Sequence, residues 1–190
     1  MQQNLLENTT IVALSTPPGV SAIALIRLSG EQALAITNKV FDKDISNAKG
    51  YSVHYGSIKN GENVIDDAIV TVFKGPKSFT GENIIEIACH GSTFIQQSII
   101  ELLLQNGATM AQAGEFSKRA FFNGKMDLSQ TEAIADLIHS TSAAAHQVAM
   151  NQMRGGFSND LKVLRAKLIH FASMIELELD FTEEDVEFAE

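Results

Sequence analysis

The chain has few of the residues that would indicate a secreted, disulfide-stabilised or membrane protein. Its 190 residues include one cysteine, three prolines and no tryptophan. A single cysteine cannot form an internal disulfide, which agrees with a reducing compartment. No apolar run approaches the length of a membrane-spanning helix, and the N-terminal segment lacks the basic start and long apolar stretch of a signal peptide. We therefore expect a cytoplasmic protein that does not associate with membranes.

The negative charge is concentrated at one end of the chain. The net charge is -9, but eight of the 23 acidic residues lie from Glu176 onward, where there is no Lys or Arg. The rest of the chain carries 14 basic and 15 acidic residues and is close to neutral. Neither part has the clustered Lys and Arg of a nucleic-acid-binding surface.

The sequence contains no pattern typical of a metal site or a catalytic centre. His139 and His146 lie seven residues apart, about two helical turns or roughly 10 Å, which is too far to share one ion. None of the five histidines has a motif that places it beside a serine or Cys89. Gly124-Lys125 lacks both the earlier glycine and the following Ser or Thr of a phosphate-binding loop. We therefore expect binding rather than catalysis, with no catalytic residue and no metal site.

Two charged residues interrupt segments that otherwise read as buried strands. Arg27 lies in the apolar run 22–28, and Glu86 lies in the apolar run 84–88. Alternate residues of a strand point to opposite faces, so each charge shares its face with apolar neighbours. Withdrawing an unpaired guanidinium or carboxylate from water costs several kcal/mol. Each charge must therefore meet a counter-charge, a hydrogen-bonding ligand or a wet cavity.

Two interpretations of these charges stay open at this point. The strands could line a site for a polar ligand. Alternatively, Arg27 and Glu86 could form a structural ion pair with each other or with Asp66 or Asp67, or could lie on edge strands.

Lys125 is a third candidate. It follows the Asn123-Gly124 turn in a segment that links a region of strands to a region of helices. A lysine at such a junction can reach an anion, although a solvated loop lysine explains the same pattern.

The first part of the chain reads as an α+β domain with a mixed sheet. Asn60-Gly61 is typical of a tight hairpin turn. Ser29–Gln32 fits a capping box that opens a helix to about Phe41, and Ser92 fits the cap of a second helix that Gly107 ends. The predicted strands are Ile11–Ser15, 22–28, Val53–Ile58, Val64–Phe73 and 84–88.

From Gly114 onward the pattern is helical. Ser129–Glu132 fits a second capping box, which predicts one long helix to about Met153 that Gly155-Gly156 breaks. A further helix carries an apolar stripe that predicts packing in a helical bundle or, alternatively, an oligomerisation seam. The stripe comprises Leu161, Leu164, Leu168, Phe171, Ile175 and Leu179.

These patterns predict a domain over residues 1–120 and the first part of an all-α domain over residues 121–190. Thr182 and the acidic residues after it resemble the start of another helix. We therefore expect a fragment of a longer protein.

Six segments, in order and with matching spacing, resemble the MnmE (TrmE) family of tRNA-modification GTPases. The resemblance continues through Glu132–Ile138 and Leu179–Phe181 and so covers nearly the whole chain. The six segments are Thr10–Gly19, Ile26–Gly30, Ser78–Asn83, Glu86–Gly91, Gly114–Phe121 and Asn123–Leu128.

The resemblance implies a tetrahydrofolate-binding, dimer-forming N-terminal domain followed by the first part of a helical domain. It implies that GTP, Mg²⁺ and K⁺ bind to a GTPase domain inserted downstream. It also implies a partner, the flavoprotein MnmG, with which the family adds an aminomethyl-type group to the wobble uridine of certain tRNAs. Folate would supply the one-carbon unit, and tRNA would be contacted through the full complex.

Carried over by position, the folate contacts of the family fall on Arg27, Glu86 and Lys125. The expected ligand is 5-formyltetrahydrofolate or a related tetrahydrofolate. A pterin ring presents adjacent N–H donors that suit the carboxylate of Glu86, while the two cations suit its carbonyl or the anionic glutamate tail. The competing hypothesis is a pure assembly module that dimerises or docks MnmG. A third, an independent one-carbon transferase, would need a catalytic acid or base.

Overall fold

The computed structural model describes residues 9–184, and the side chains of residues 9–179. The chain divides into two compact units, one ending at Met126 and the other beginning at Asp127. The helix start expected at Thr182 is wrong, because one helix runs from Gly156 to Glu184 and passes through Thr182 without a break. The acidic residues after Glu184 lie outside the described residues.

The N-terminal unit is built on a six-stranded mixed sheet. The strands, in the spatial order β3-β4-β5-β2-β1-β6, are antiparallel except for the parallel pair β1 and β6. β5 and β2, which carry Glu86 and Arg27, are the two central strands, so neither charge lies on an edge. Their bounds are β1 Ile11–Leu14, β2 Ile23–Ser29, β3 Ser52–Asn60, β4 Asn63–Phe73, β5 Ile84–His90 and β6 Thr109–Met110.

Two helices, α1 (Ala33–Asn38) and α2 (Thr93–Gln105), follow strands of this sheet and contribute to one core. Ile26, Leu28, Ile85 and Ile87 are fully buried on the face that forms this core. The mixed sheet with helices confirms the predicted α+β class, and the hairpin of β3 and β4 turns at residues 60–63 as predicted.

The capping box predicted at Ser29–Gln32 is wrong. Ser29 ends β2, and its hydroxyl hydrogen-bonds Thr80 and Glu82 rather than a helix terminus. The helix also ends at Asn38 and not near Phe41, because the amide of Asp42 donates to β3 at Ser57. Pairing with a strand edge thus replaces the last turn of the predicted helix.

The second unit contains α4 (Leu128–His139), α5 (Ala143–Met153) and α6 (Gly156–Glu184), and a short helix α3 (Glu115–Phe122) precedes it. The single long helix predicted to Met153 is wrong, because the chain breaks at residues 140–142. The Ser142 hydroxyl accepts from the amide of Ala145, and such local bonds favour a helix start over a helix interior.

The N-cap of α4 is Asp127, two residues before the predicted capping box. Its carboxylate accepts from the amide of Gln130, and the Gln130 side chain accepts from the amide of Asp127. Hydrogen bonds, first from the Ser158 hydroxyl and then from the Gln130 amide, lower the pKa of Asp127 below its usual 3.8. The ionised carboxylate therefore stabilises the fold at pH values above 3.8, and this contribution is lost as the pH falls through the lowered pKa.

Asp127→Ala is expected to reduce the free energy of unfolding of the helical unit by about 1 kcal/mol at pH 7, the usual cost of losing an N-cap. Urea unfolding followed by helical circular dichroism checks this, and the difference from the unmutated chain should shrink as the pH falls below 3.8. Asp136→Ala, an exposed site on the same helix, is the control. Equal losses in the two variants would contradict the capping role.

The apolar stripe of α6 does not pack into a bundle within the described residues. Its six members are 43 to 63% exposed. Within residues 9–184, no helix is both long and apolar enough to cross a membrane.

Candidate ligand-binding site

Arg27 and Glu86 form an ion pair at the centre of the sheet. They are directly opposite each other in the antiparallel pairing of β2 and β5. Nε and Nη2 of Arg27 donate to the same carboxylate oxygen, Oε1 of Glu86, at 2.9 and 2.6 Å. The side chains remain 26% and 20% exposed. The structure thus brings together two of the three residues expected at the site.

Asp66 and Asp67, the other proposed partners, are engaged elsewhere. Asp66 accepts from the backbone amide of His90 and contacts its ring nitrogen Nδ1 at 2.7 Å. Asp67 accepts from the hydroxyls of Ser57 and Tyr55.

The pair lies on the sheet face opposite the core, which we call the open face. Directly paired residues of adjacent strands share a face, so the row Thr71, Glu86, Arg27 and Ala13 crosses four strands on this side. The next row contains the exposed side chains of Tyr55 and Ile69, together with Ala88 and Leu25. A charged centre beside an apolar floor suits a ligand with both polar and apolar parts.

Two aromatic rings flank the guanidinium of Arg27. The ring centroids of Phe79 and Phe116 each lie 5.7 Å from its Cζ atom. Phe79 belongs to the loop over residues 74–83, and Phe116 lies in the first turn of α3.

The loop and α3 are joined by a buried arginine. Arg119 is 2% exposed, and its guanidinium donates to Glu82 of the loop at 3.1 Å and to Glu115 of its own helix at 3.0 Å. It also donates to the carbonyl oxygen and the hydroxyl of Thr9. Asn123 adds a hydrogen bond to the carbonyl of Thr80. The two segments that carry the aromatic rings are therefore held together.

Lys125 lies elsewhere in the N-terminal unit, in a cleft of about 440 Å³ that is also lined by Glu31 and Asn83. Its ammonium donates to the carbonyl of Pro76 at 2.9 Å and makes no hydrogen bond or ion pair with Arg27 or Glu86. It is connected to them through the loop that carries Phe79, by the Pro76 carbonyl, and through α3, since its backbone amide donates to the carbonyl of Ala120. A folate contact by Lys125 therefore stays a prediction.

The ion pair leaves N–H groups of Arg27 and one carboxylate oxygen of Glu86 for a ligand. Nη1 of Arg27 and Oε2 of Glu86 have no hydrogen-bond partner among the described residues. Guanidinium N–H groups and a carboxylate oxygen can together bind a ligand that carries both a carbonyl and an N–H.

Cys89 follows this site on β5 but points into the core. It is 2% exposed, and burial, with a smaller contribution from the Asp66 carboxylate, raises the pKa of its thiol to about 11. This value lies above the ordinary 9.0. The protonated thiol therefore makes its full contribution to folding stability below pH 9, and that contribution is lost as the pH rises through about 11.

We expect the Cys89 thiol to react at pH 8 at least about 100-fold more slowly in the folded chain than in urea, since two pKa units lower the thiolate fraction about 100-fold. Labelling with a thiol-specific disulfide reagent, with and without urea, measures this ratio. Equal rates would show that the thiol is accessible and ionised in the native state.

Comparison with protein families accounts for both parts of the chain. Residues 10–125 match the family model described as the GTP-binding protein TrmE N-terminus, and residues 128–190 match the MnmE helical domain. The chain belongs to the MnmE (TrmE) family. This confirms the resemblance read from the six sequence segments.

Curated members of the MnmE family are similar along nearly the whole chain. The tRNA modification GTPase MnmE of Flavobacterium psychrophilum is 59% identical over 190 residues, covering 98% of this chain and 41% of the relative. The proteins of that name from Cytophaga hutchinsonii and Bacteroides thetaiotaomicron are 59% and 56% identical, over 95% of this chain and 40% of each relative. The chain therefore spans about two fifths of the length of these MnmE relatives.

Sequence reasoning found the ionic pair but missed the residues around it. Phe79 and Phe116 lie in two of the segments that carry the MnmE resemblance, yet nothing local indicates that they converge on Arg27. Arg119 is not among the residues predicted from the sequence. Its spacing of four residues from Glu115 was the available signal for an ion pair on one helix face.

Proposed function

We propose that this chain is the folate-binding and dimer-forming N-terminal portion of a tRNA-modification GTPase. The observation that carries the proposal is the half-buried Arg27–Glu86 pair on the open face of the sheet. A charged pair in the centre of a sheet, with a free donor and a free acceptor, suits a polar ligand better than it suits packing alone.

The chemistry of a reduced pterin fits these free atoms. A pterin presents an N–H, which suits the free carboxylate oxygen of Glu86, and a carbonyl, which suits a free N–H of Arg27. Lys125 would then hold the anionic glutamate tail of 5-formyltetrahydrofolate or a related tetrahydrofolate.

The family name supports the wider role. GTP hydrolysis, with Mg²⁺ and K⁺, is assigned to a GTPase domain beyond residue 190, and tRNA and the flavoprotein MnmG act through the full complex. In that complex the folate would supply the one-carbon unit for an aminomethyl-type group on the wobble uridine. The exposed apolar side chains of Ile23, Val53, Tyr55 and Ile69, which are 45 to 65% exposed, support a homodimer that covers part of the open face.

A calorimetric titration of the chain with 5-formyltetrahydrofolate tests the proposal. Saturable binding is expected, and it should disappear in Glu86→Ala and Arg27→Ala. The absence of heat from a chain whose folding is verified by circular dichroism would refute it.

A second candidate, a pure assembly module, is favoured by the direct hydrogen bonds between Arg27 and Glu86, because they give each charge a partner without any ligand. In that case the pair is structural, and the chain dimerises or docks MnmG without a ligand. Sedimentation would show dimers that are indifferent to folate, and both alanine variants would lose stability without any change in ligand binding.

A further inference from the structure

Phe79 and Phe116 come from segments that are far apart in the sequence, and both place a ring within 5.7 Å of the same guanidinium. The aromatic ring pairs among the described residues are Tyr51 with Phe73 and Phe121 with Phe122. Neither flanking ring is therefore engaged with another aromatic ring. Phe79 is 36% exposed, so part of its apolar surface is open to a ligand.

The backbone beside each of the two phenylalanines is held in place by a neighbouring residue. Thr80, directly after Phe79, is fully buried and hydrogen-bonded to Ser29. Glu115, directly before Phe116, is ion-paired with Arg119. A ring on a fixed backbone contacts a ligand with little loss of conformational entropy.

The guanidinium that the rings flank is the one that pairs with Glu86 and keeps N–H groups without a partner among the described residues. A flat ligand that accepts hydrogen bonds from this guanidinium would lie close to at least one of the two rings, because both centroids are 5.7 Å from its Cζ atom. Flat heterocycles gain from such contact through burial and through offset or edge-to-face packing.

We propose that Phe79 and Phe116 contact the fused heterocycle of the ligand and make the site selective for ligands that carry it. This inference rests on the proposed folate binding at Arg27 and Glu86 and deepens it. It assigns the heterocycle, and not the aminobenzoyl-glutamate tail, to the space beside these two rings.

Calorimetric titrations of Phe79→Leu and Phe116→Leu test the inference with three ligands. These are 5-formyltetrahydrofolate, pterin-6-carboxylate as the heterocycle alone, and p-aminobenzoylglutamate as the tail alone. Each variant should bind the first two about tenfold more weakly than the unmutated chain does, while its affinity for the tail is unchanged. Phe122→Leu, an exposed site on the same helix as Phe116, should leave all three affinities unchanged.

A conservative variant separates ligand contact from structural support. Phe116→Trp should retain affinity for 5-formyltetrahydrofolate, and because the chain has no other tryptophan, its fluorescence should change on saturation. Unaltered affinities in both leucine variants would overturn the inference, and so would an equal loss of tail binding. If the unmutated chain binds none of the three ligands, the proposed function fails first and the inference fails with it.

Discussion

Replacing Arg119 by alanine is expected to lower the free energy of unfolding of the N-terminal unit by about 3–5 kcal/mol, the usual cost of removing one partner of a buried ion pair. The guanidinium is 2% exposed and holds two carboxylates, those of Glu82 and Glu115, whose side chains are 18% and 11% exposed. Without it, these carboxylates keep their charge and lose their shared counter-ion. The carbonyl of Thr9 also loses its donor.

Urea unfolding followed by tyrosine fluorescence measures this loss for the N-terminal unit alone. The chain has two tyrosines and no tryptophan, and Tyr51 and Tyr55 both lie in or beside β3 of that unit. Lys118→Ala is the matched control, since its ammonium lies over the exposed ring of Phe122. It should change stability by less than about 0.5 kcal/mol. A similarly small effect of Arg119→Ala would show that the buried network does not stabilise the unit.

Replacing Glu86 by glutamine is expected to weaken binding of 5-formyltetrahydrofolate by at least about 100-fold. Glutamine keeps the shape of the side chain but removes its charge and replaces one acceptor oxygen with an N–H₂ donor. The ligand N–H would then face a donor, and Arg27 would lose its counter-charge. Truncating one partner of a buried, hydrogen-bonded charge pair typically costs 2–5 kcal/mol of binding, and 100-fold corresponds to about 2.7 kcal/mol.

The control for this substitution is Glu62→Gln, in the exposed turn between β3 and β4. It makes the same chemical change away from the open face and should leave the affinity unaltered. Unfolding of Glu86→Gln, measured through the same tyrosines, separates the two candidate functions. A loss of stability with unchanged folate affinity would favour the assembly module and contradict a ligand role for Glu86.

The features predicted correctly from the sequence are those encoded by local patterns. Apolar runs and turn residues located five of the six strands and the hairpin. Charge within apolar runs identified Arg27 and Glu86 as exceptions that need a partner. β6, at two residues, is too short to show any pattern.

The features that were missed depend on partners distant in the sequence. Ser29 resembles a helix cap, but its hydroxyl is used by a loop about 50 residues later. Ser142 breaks a helix that propensity alone would continue. The convergence of Phe79 and Phe116 on one guanidinium follows from the packing of a loop and a helix. No sequence periodicity in either segment indicates it.

The most direct measurement of the central claim is a crystal structure of this chain with 5-formyltetrahydrofolate. We expect an N–H of the heterocycle within about 2.7–3.2 Å of a Glu86 carboxylate oxygen, the normal hydrogen-bond range, with Arg27 beside the ring carbonyl. A folate bound away from the open face, with the Arg27–Glu86 pair unchanged, would contradict the account.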